Sequence, residues 1–219
     1  MPSIATIVPS LVAGARALAA RDAAGRAALA RDTARTVASA ADRWVETALA
    51  IKGRHERTGV AGATAAAARS EETATGPLGT LRLLALTARA LDGVARDGVP
   101  AAAGPTRLLE PCGVGAGFVG VPVLPAPDMW DGAVFGGIDA VVRCADPGGL
   151  EAFARSWREE AATRPTAGGV CAVLGAGNVT GLSAADVLAQ VFEHGRAAIL
   201  KLHPLHAALE PVLRDALGP

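Results

Sequence analysis

GVCAVLGAGNVTGLSAADVLAQVFEHGRAAILKLHP, residues Gly169–Pro204, is the stretch that decides the fold class. Its apolar run Gly169–Leu174 reads as a short strand, and Arg196–Leu202 reads as a second one. Between them stand a glycine-rich turn, Gly175-Ala176-Gly177-Asn178-Val179-Thr180-Gly181, and a helix starting near Ser183. Ser183 with Asp186 three residues on resembles a capping box, with Asp where Glu or Gln is usual, and Gly195 ends the helix. Strand, turn, helix, strand is one βαβ unit, a crossover that is nearly always right-handed and joins parallel strands.

Working outward, Gly117–Leu124 and Ile138–Arg143 also read as strands, Pro147 to Thr163 as a helix, and about Leu205 to Leu217 as a last helix. Leu11 to about His55 reads as one or two long helices with Leu18, Leu29, Val37, Trp44, Val45 and Leu49 at loosely helical spacing. Val60 to Pro77 reads as a linker or loose helix end. A further helix carries Leu81, Leu84, Ala88, Leu91 and Val94 and stops at Gly98 and Pro100. The expectation is an α/β chain: an alanine-rich helical region over 1–104, then a partial Rossmann-like parallel sheet with flanking helices over 105–219. The chain stops where a third strand should begin, so it reads as truncated.

The 219 residues are 51% hydrophobic and 19% charged, which argues against intrinsic disorder. Roughly a quarter of the positions are alanine, however, and with Phe 4, Trp 3 and Tyr 0 large anchors are few. Lys+Arg 21 against Asp+Glu 21 gives a formal charge of zero, so nothing in the balance calls for a nucleic-acid or anionic-membrane partner. No apolar run reaches a membrane span, and the N-terminus lacks the pattern of a signal peptide. With Cys112, Cys144 and Cys171 odd in number and widely spaced, the expected compartment is the reducing cytoplasm.

Two glycine-rich runs compete as a phosphate cradle. Gly115-Ala116-Gly117-Phe118-Val119-Gly120 matches GxGxxG, but the Val121-Pro122-Val123-Leu124-Pro125 that follows cannot open a helix, so it reads as a turn or strand entry. Gly175 and Gly177 lie where such a motif belongs, after a strand and before a helix, although βα turns are also glycine-rich for steric reasons alone. Asn178 could donate a hydrogen bond to a developing oxyanion, or could equally serve a left-handed turn. Lys201 ends the next strand, placed for a ribose or phosphate or else snorkelling to solvent. Cys171 reads as a buried strand thiol, and Cys112 and Cys144 as structural. His203 and His206 are interrupted by Pro204 and lack a third metal ligand, and His194 reads as a partner of a helix C-terminus.

Gly169-Val170-Cys171, the turn with Asn178, the helix ending at Gly195 and the strand ending in Lys201 together resemble the aldehyde dehydrogenase superfamily. The resemblance covers about Leu109 to Pro219 and is strongest from Gly169 on. Val173 to Pro204 is most similar to an atypical bacterial branch with acyl-CoA reductases as relatives. It implies that Asn178 contributes to the oxyanion hole and Lys201 contacts the ribose of NAD or NADP, with Gly175 and Gly177 beside the cofactor. The chain departs from the family where Ala176-Gly177 replace proline and tryptophan, and where Pro204 replaces a glutamate that holds the ribose. The family's nucleophilic cysteine, general-base glutamate and second cofactor turn would lie beyond residue 219.

The expected function is therefore the N-terminal part of an NAD(P)-dependent aldehyde dehydrogenase-like oxidoreductase for a small aldehyde or acyl substrate, inactive alone. Its expected partners are further copies of itself or a missing C-terminal half. The alternative is a non-catalytic dinucleotide-binding or oligomerisation module.

Overall fold

The computed structural model describes residues 4–55, 65–109, 117–127, 129–145, 148–163 and 168–218. The chain divides into two compact units, one formed by Met1–Ala88 with Thr166–Pro219 and the other by Arg89–Pro165. The boundary expected near residue 104 falls inside the second of these.

The first unit opens with α1 (Ile4–Ala19) and α2 (Ala23–His55), so the alanine-rich beginning is two helices. Along α2 the buried positions are Ala27, Ala30, Thr33, Val37, Ala40, Trp44, Val45, Ala48 and Ile51, spaced by three or four residues apart from the adjacent pair Trp44 and Val45. That spacing is one face of a helix, and it is built mostly from methyl groups rather than from large side chains. Leu29 and Leu49, read as part of the stripe, are only half-buried. Trp44 is the large exception, 0% exposed.

After α2 comes α3 (Ala65–Thr73), which runs through a π-type turn, Ala74–Leu78, into α4 (Gly79–Asp97). The described part of the segment read as a linker is thus helix, interrupted at Gly76, whose φ of −105° and ψ of −106° are not helical. Gly98, at φ +75°, stops α4 in the left-handed conformation that glycine adopts without penalty.

The rest of the first unit is β4 (Val170–Leu174), α7 (Leu182–Phe192), β5 (Ala197–Lys201), a 3₁₀ turn (Pro204–Leu209) and α8 (Glu210–Leu217). β4 and β5 pair in parallel from Val170↔Ala197 to Leu174↔Lys201. Both α1 and α7 pack on this pair, and α8 packs on α2, where Thr36 Oγ1 donates to the Ala216 carbonyl at 2.7 Å. The expected capping box is not formed. Gly181 is the N-cap and makes no side-chain cap, while Ser183 lies inside α7 with its Oγ unpartnered among the described residues. The segment read as a single last helix begins as the 3₁₀ turn, because Pro204 and Pro211 each favour a fresh helical start.

The second unit contains β1 (Arg107–Leu109), β2 (Phe118–Leu124), α5 (Met129–Val134), β3 (Ala140–Ala145) and α6 (Leu150–Thr163). Its three strands form an antiparallel sheet in the order β1-β2-β3. This corrects the expectation of one parallel sheet after residue 105: among the described residues the parallel arrangement is the β4–β5 pair. Burial explains the difference. Val119 and Val121 of β2 pack with Phe153 of α6, whereas β3 has no fully buried residue, and an antiparallel sheet tolerates a solvated face where a parallel one rarely does. β1 and α5 had no distinct signal, being three and six residues long.

Three substitutions test this packing by chemical denaturation. A Cβ on Gly181 would stand 2.1 Å from the Thr75 carbonyl oxygen, so Gly181→Ala is expected to destabilise the first unit. Gly14, mid-helix with nothing within 4 Å, should tolerate Ala with a gain of about 1 kcal/mol. Trp44→Ala should cost about 3–5 kcal/mol, and equal small effects from all three would refute the assigned contacts. Leu174, 75% exposed, and the outer edges of β4 and β5, unpaired among the described residues, should make the chain self-associate. Light scattering should show this association weakened by Leu174→Lys, and a strictly monomeric chain would count against it.

Candidate functional site

The carboxyl ends of β4 and β5 hold the residues that the sequence singles out. Leu174 pairs with Lys201, and the ladder continues one step further as the Gly175 N–H donates to the Lys201 carbonyl at 2.9 Å. Gly175 and Lys201 are therefore backbone neighbours. Asn178 follows in the turn with its side chain exposed, and the Lys201 side chain is exposed at the end of β5. No hydrogen bond links the two side chains among the described residues.

Backbone geometry separates the two readings of Asn178. No described residue other than glycine has a positive φ, so a left-handed turn does not account for the asparagine. Gly175 and Gly177 do not have positive φ either. Their small size is used for close approach within the chain. A Cβ on Gly175 would meet Ser183 Oγ at 2.4 Å, and one on Gly177 would meet His203 Nδ1 at 2.6 Å. The space over both glycines is filled by the protein's own side chains.

Beneath the turn lies a polar cluster that the sequence did not reveal as a unit. Glu72 of α3 is 2% exposed; one carboxylate oxygen accepts from Thr180 Oγ1 at 3.2 Å and the other pairs with Lys52 Nζ at 2.6 Å. Lys52 also reaches Glu71 at 2.8 Å, and hydrogen bonds to the two carboxylates raise its pKa above the ordinary lysine value. Gly76 of the π-type turn completes the contact, a Cβ there falling 3.2 Å from Trp44 Nε1 and 3.4 Å from Thr180 Oγ1. Trp44 Nε1, Ser183 Oγ and His206 Nδ1 are buried without a hydrogen-bond partner among the described residues.

The two histidines frame the turn from the other side. His203 caps the 3₁₀ turn, its Nδ1 accepting the Leu205 N–H at 3.2 Å, and His206 is 4% exposed. Burial pushes the His206 imidazole below its usual 6.5, His203 adding to the effect and Glu72 and the Ala176 backbone opposing it. The legible signal was a histidine pair three apart across a proline, which the sequence offered only as a poor metal site.

The remaining candidates stand elsewhere. Cys171 is half-buried in β4 rather than fully buried, with its Sγ 3.6 Å from the Ala172 carbonyl. Cys144 of β3 packs against the Val119, Val121 and Phe153 cluster, and Cys112 lies outside the described residues. Of the first glycine-rich run, Gly120 is inside β2, while Gly115 and Ala116 lie outside the described residues. His194 is exposed just after α7, its backbone N–H donating to the Ala189 carbonyl. An open groove of about 420 Å³ in the second unit, lined by Arg107, Asp139, Pro122 and Leu124, contains none of the expected site residues. Among the described residues no cluster of three metal-ligating side chains occurs, and no helix is long and apolar enough to cross a membrane.

No protein-family model, no curated protein and no solved structure matches this chain.

Proposed function

We infer that this chain supplies the oxyanion donor and one cofactor contact of an aldehyde dehydrogenase-like, NAD(P)-dependent oxidoreductase acting on an aldehyde or acyl group. One observation carries the reading. Asn178, exposed and without the backbone strain that would otherwise explain it, follows the end of a parallel strand whose neighbour ends in an exposed lysine. In parallel α/β units that edge is where ligands bind. The partial Rossmann-like character of the chain belongs to this proposal, with β4–α7–β5 as its first crossover.

In this reading the Asn178 amide donates a hydrogen bond to the substrate oxygen as a nucleophile adds to the carbonyl carbon and charge builds on it. The Lys201 ammonium donates to the ribose or phosphate of the dinucleotide. The fit is partial. Lys201 is exposed and has no ion pair among the described residues, whereas Ser183 and His203 occupy the space over Gly175 and Gly177. Cofactor contact is accordingly assigned to Lys201, with the two glycines serving the close packing of the turn. When bound, NAD(P) would supply the hydride acceptor or donor. Neither described cysteine suits a nucleophile, Cys171 lying within a strand and Cys144 in an apolar cluster, so the thiolate and general base are assigned to a catalytic half beyond these residues. The filled space over the glycines favours, as a second reading, a module that binds or oligomerises without catalysis.

Titration of the full chain with NAD and NADP tests the first reading. Lys201→Ala is expected to weaken binding about tenfold, the scale of one charge-assisted hydrogen bond, and Asn178→Ala to leave it within about twofold. No saturable binding at millimolar cofactor, or equal effects from both variants, would sink it. The chain alone should show no aldehyde-dependent reduction of NAD(P); turnover abolished by Cys171→Ser would reverse the assignment of that thiol. Joined to a catalytic half, Asn178→Ala should lower kcat and kcat/KM together by about 10²–10³, because its donor acts on charge that exists only in the transition state. Lys201→Ala should chiefly raise the cofactor KM.

A further inference from the structure

The β1-β2-β3 sheet has one face packed on α6 and one face turned away from it. Val119 and Val121 of β2 point toward α6, where they pack with Phe153. Alternation along the strand turns Gly120 and Pro122 the other way. Cross-strand partners share a face, so Arg107 of β1, opposite Gly120, and Val141 of β3, opposite Pro122, stand with them. A register shift between Pro122 and Leu124 is the kind of bulge that re-aims a side chain, and Leu124 joins the same lining. These residues line the open groove of about 420 Å³, together with Asp139, one residue before β3.

The polar chemistry of the groove is concentrated in two side chains. Pro122, Pro125 and Pro127 bring no N–H, and the N–H groups of Ala103 and Ala126 are taken by the Pro122 carbonyl at 2.9 Å and by Asp131 Oδ2 at 2.8 Å. Arg107 and Asp139 are exposed, and neither side chain makes an ion pair or hydrogen bond among the described residues. An unpaired cation and an unpaired anion over an apolar floor complement a ligand that carries both charges with an apolar body between them. A phosphate ester would be repelled by the Asp139 carboxylate, and no aromatic ring among the lining residues offers a base a stacking surface.

The span sets the ligand's length. Arg107 is level with Gly120 and Asp139 lies just beyond the level of Leu124, so four residues of β2, roughly 13 Å at about 3.3 Å each, separate the two. A free amino acid carries both charges on one carbon and does not reach both side chains. An extended peptide covers at most about 3.3–3.6 Å per residue, so three or four residues do.

We propose that this groove binds a linear peptide of three or four apolar residues by its two free ends, the terminal carboxylate on the Arg107 guanidinium and the terminal ammonium on the Asp139 carboxylate. The planar guanidinium donates to both carboxylate oxygens, and Asp139 accepts from the ammonium N–H groups. Pro122, Leu124 and Val141 form the floor on which the peptide's side chains lie. Proline rings make part of that floor rigid, so little side-chain freedom is lost when it is covered. None of these residues belongs to the β4–α7–β5 site, and the proposal does not depend on the function argued above.

NMR titration of the full chain with the tetrapeptide Ala-Val-Ala-Leu tests it. Saturable shifts are expected at the amides of Ala103, Leu124, Asp139 and Val141. Amidating the peptide's carboxylate, or acetylating its amine, should each weaken binding about tenfold, the scale of one charge-assisted hydrogen bond. Each variant should erase one of these preferences. Arg107→Gln is expected to bind free and amidated peptide alike while still favouring the free amine, and Asp139→Asn the converse. If either variant loses its circular-dichroism signature of folding, the comparison of free and blocked peptides on the unaltered chain decides. Free leucine should bind at least about tenfold more weakly than the tetrapeptide, since it meets only one of the two charges. The proposal is overturned by a chain that does not saturate at millimolar peptide, or that binds the doubly blocked peptide equally well. Leucine bound as tightly as the tetrapeptide, or shifts gathered at the β4–α7 turn instead of the groove, overturn it too.

Discussion

Glu72 is a carboxylate almost wholly removed from water, and it survives there because both oxygens are engaged. A buried carboxylate without partners would cost several kcal/mol, so Lys52 and Thr180 are conditions for its presence. Those two residues lie on α2 and on the β4–α7 turn, and Glu72 itself lies on α3. The carboxylate thus ties the N-terminal helices to the parallel strand pair. It fixes the level at which Gly181 meets the Thr75 carbonyl, a contact that leaves no room for a Cβ, and at which Gly76 meets Trp44, where a Cβ would be tight at 3.2 Å. Asn178 is presented from this anchored base, two residues before Thr180.

Small side chains set the character of the packing. Four of the nine buried residues of α2 are alanine, each contributing about one methyl group of apolar area, so hydrophobic burial per residue is modest. The return is proximity. Alanine and glycine let helices and turns approach until backbone meets side chain, as where a Cβ on Gly168 would fall 2.7 Å from the Ala15 carbonyl oxygen. Dense contact of this kind depends on shape more than on area. Trp44 is the largest of the fully buried side chains, followed by Leu84 and Leu209.

Helices and strands were largely legible because each rests on local pattern. The α4 stripe, the four strands after Gly117 and the βαβ order of β4–α7–β5 can be read from apolar spacing and from glycine at the ends. How strands assort into sheets was not legible, since β2 and β3 look alike whether they pair with each other or with β4. The choice lies with Phe153 and the valines it covers, contacts distant in sequence. The site divides in the same way. Asn178 and Lys201 announce themselves at strand ends, while the partnership of Glu72 with Thr180 spans 108 residues and follows no local rule. Ser183 misled because a serine before an apolar run suggests a cap, yet Gly181 starts α7 two residues earlier.

The first unit is discontinuous, its two parts separated in the chain by all of residues 89–165. Thr36 finds its partner in Ala216, 180 residues later, and Arg43 finds Asp215, 172 residues later. On a ribosome adding about 5–20 residues per second, the Trp44 face of α2 waits roughly ten to thirty-five seconds for α8 to arrive. The intervening unit, whose contacts are nearer in sequence, has time to form first. During that interval the nascent chain carries an uncovered apolar stripe, and the alanine content that makes the finished packing close also makes the waiting surface only weakly adhesive. The same composition that limits the core's burial therefore protects the chain while it is being made.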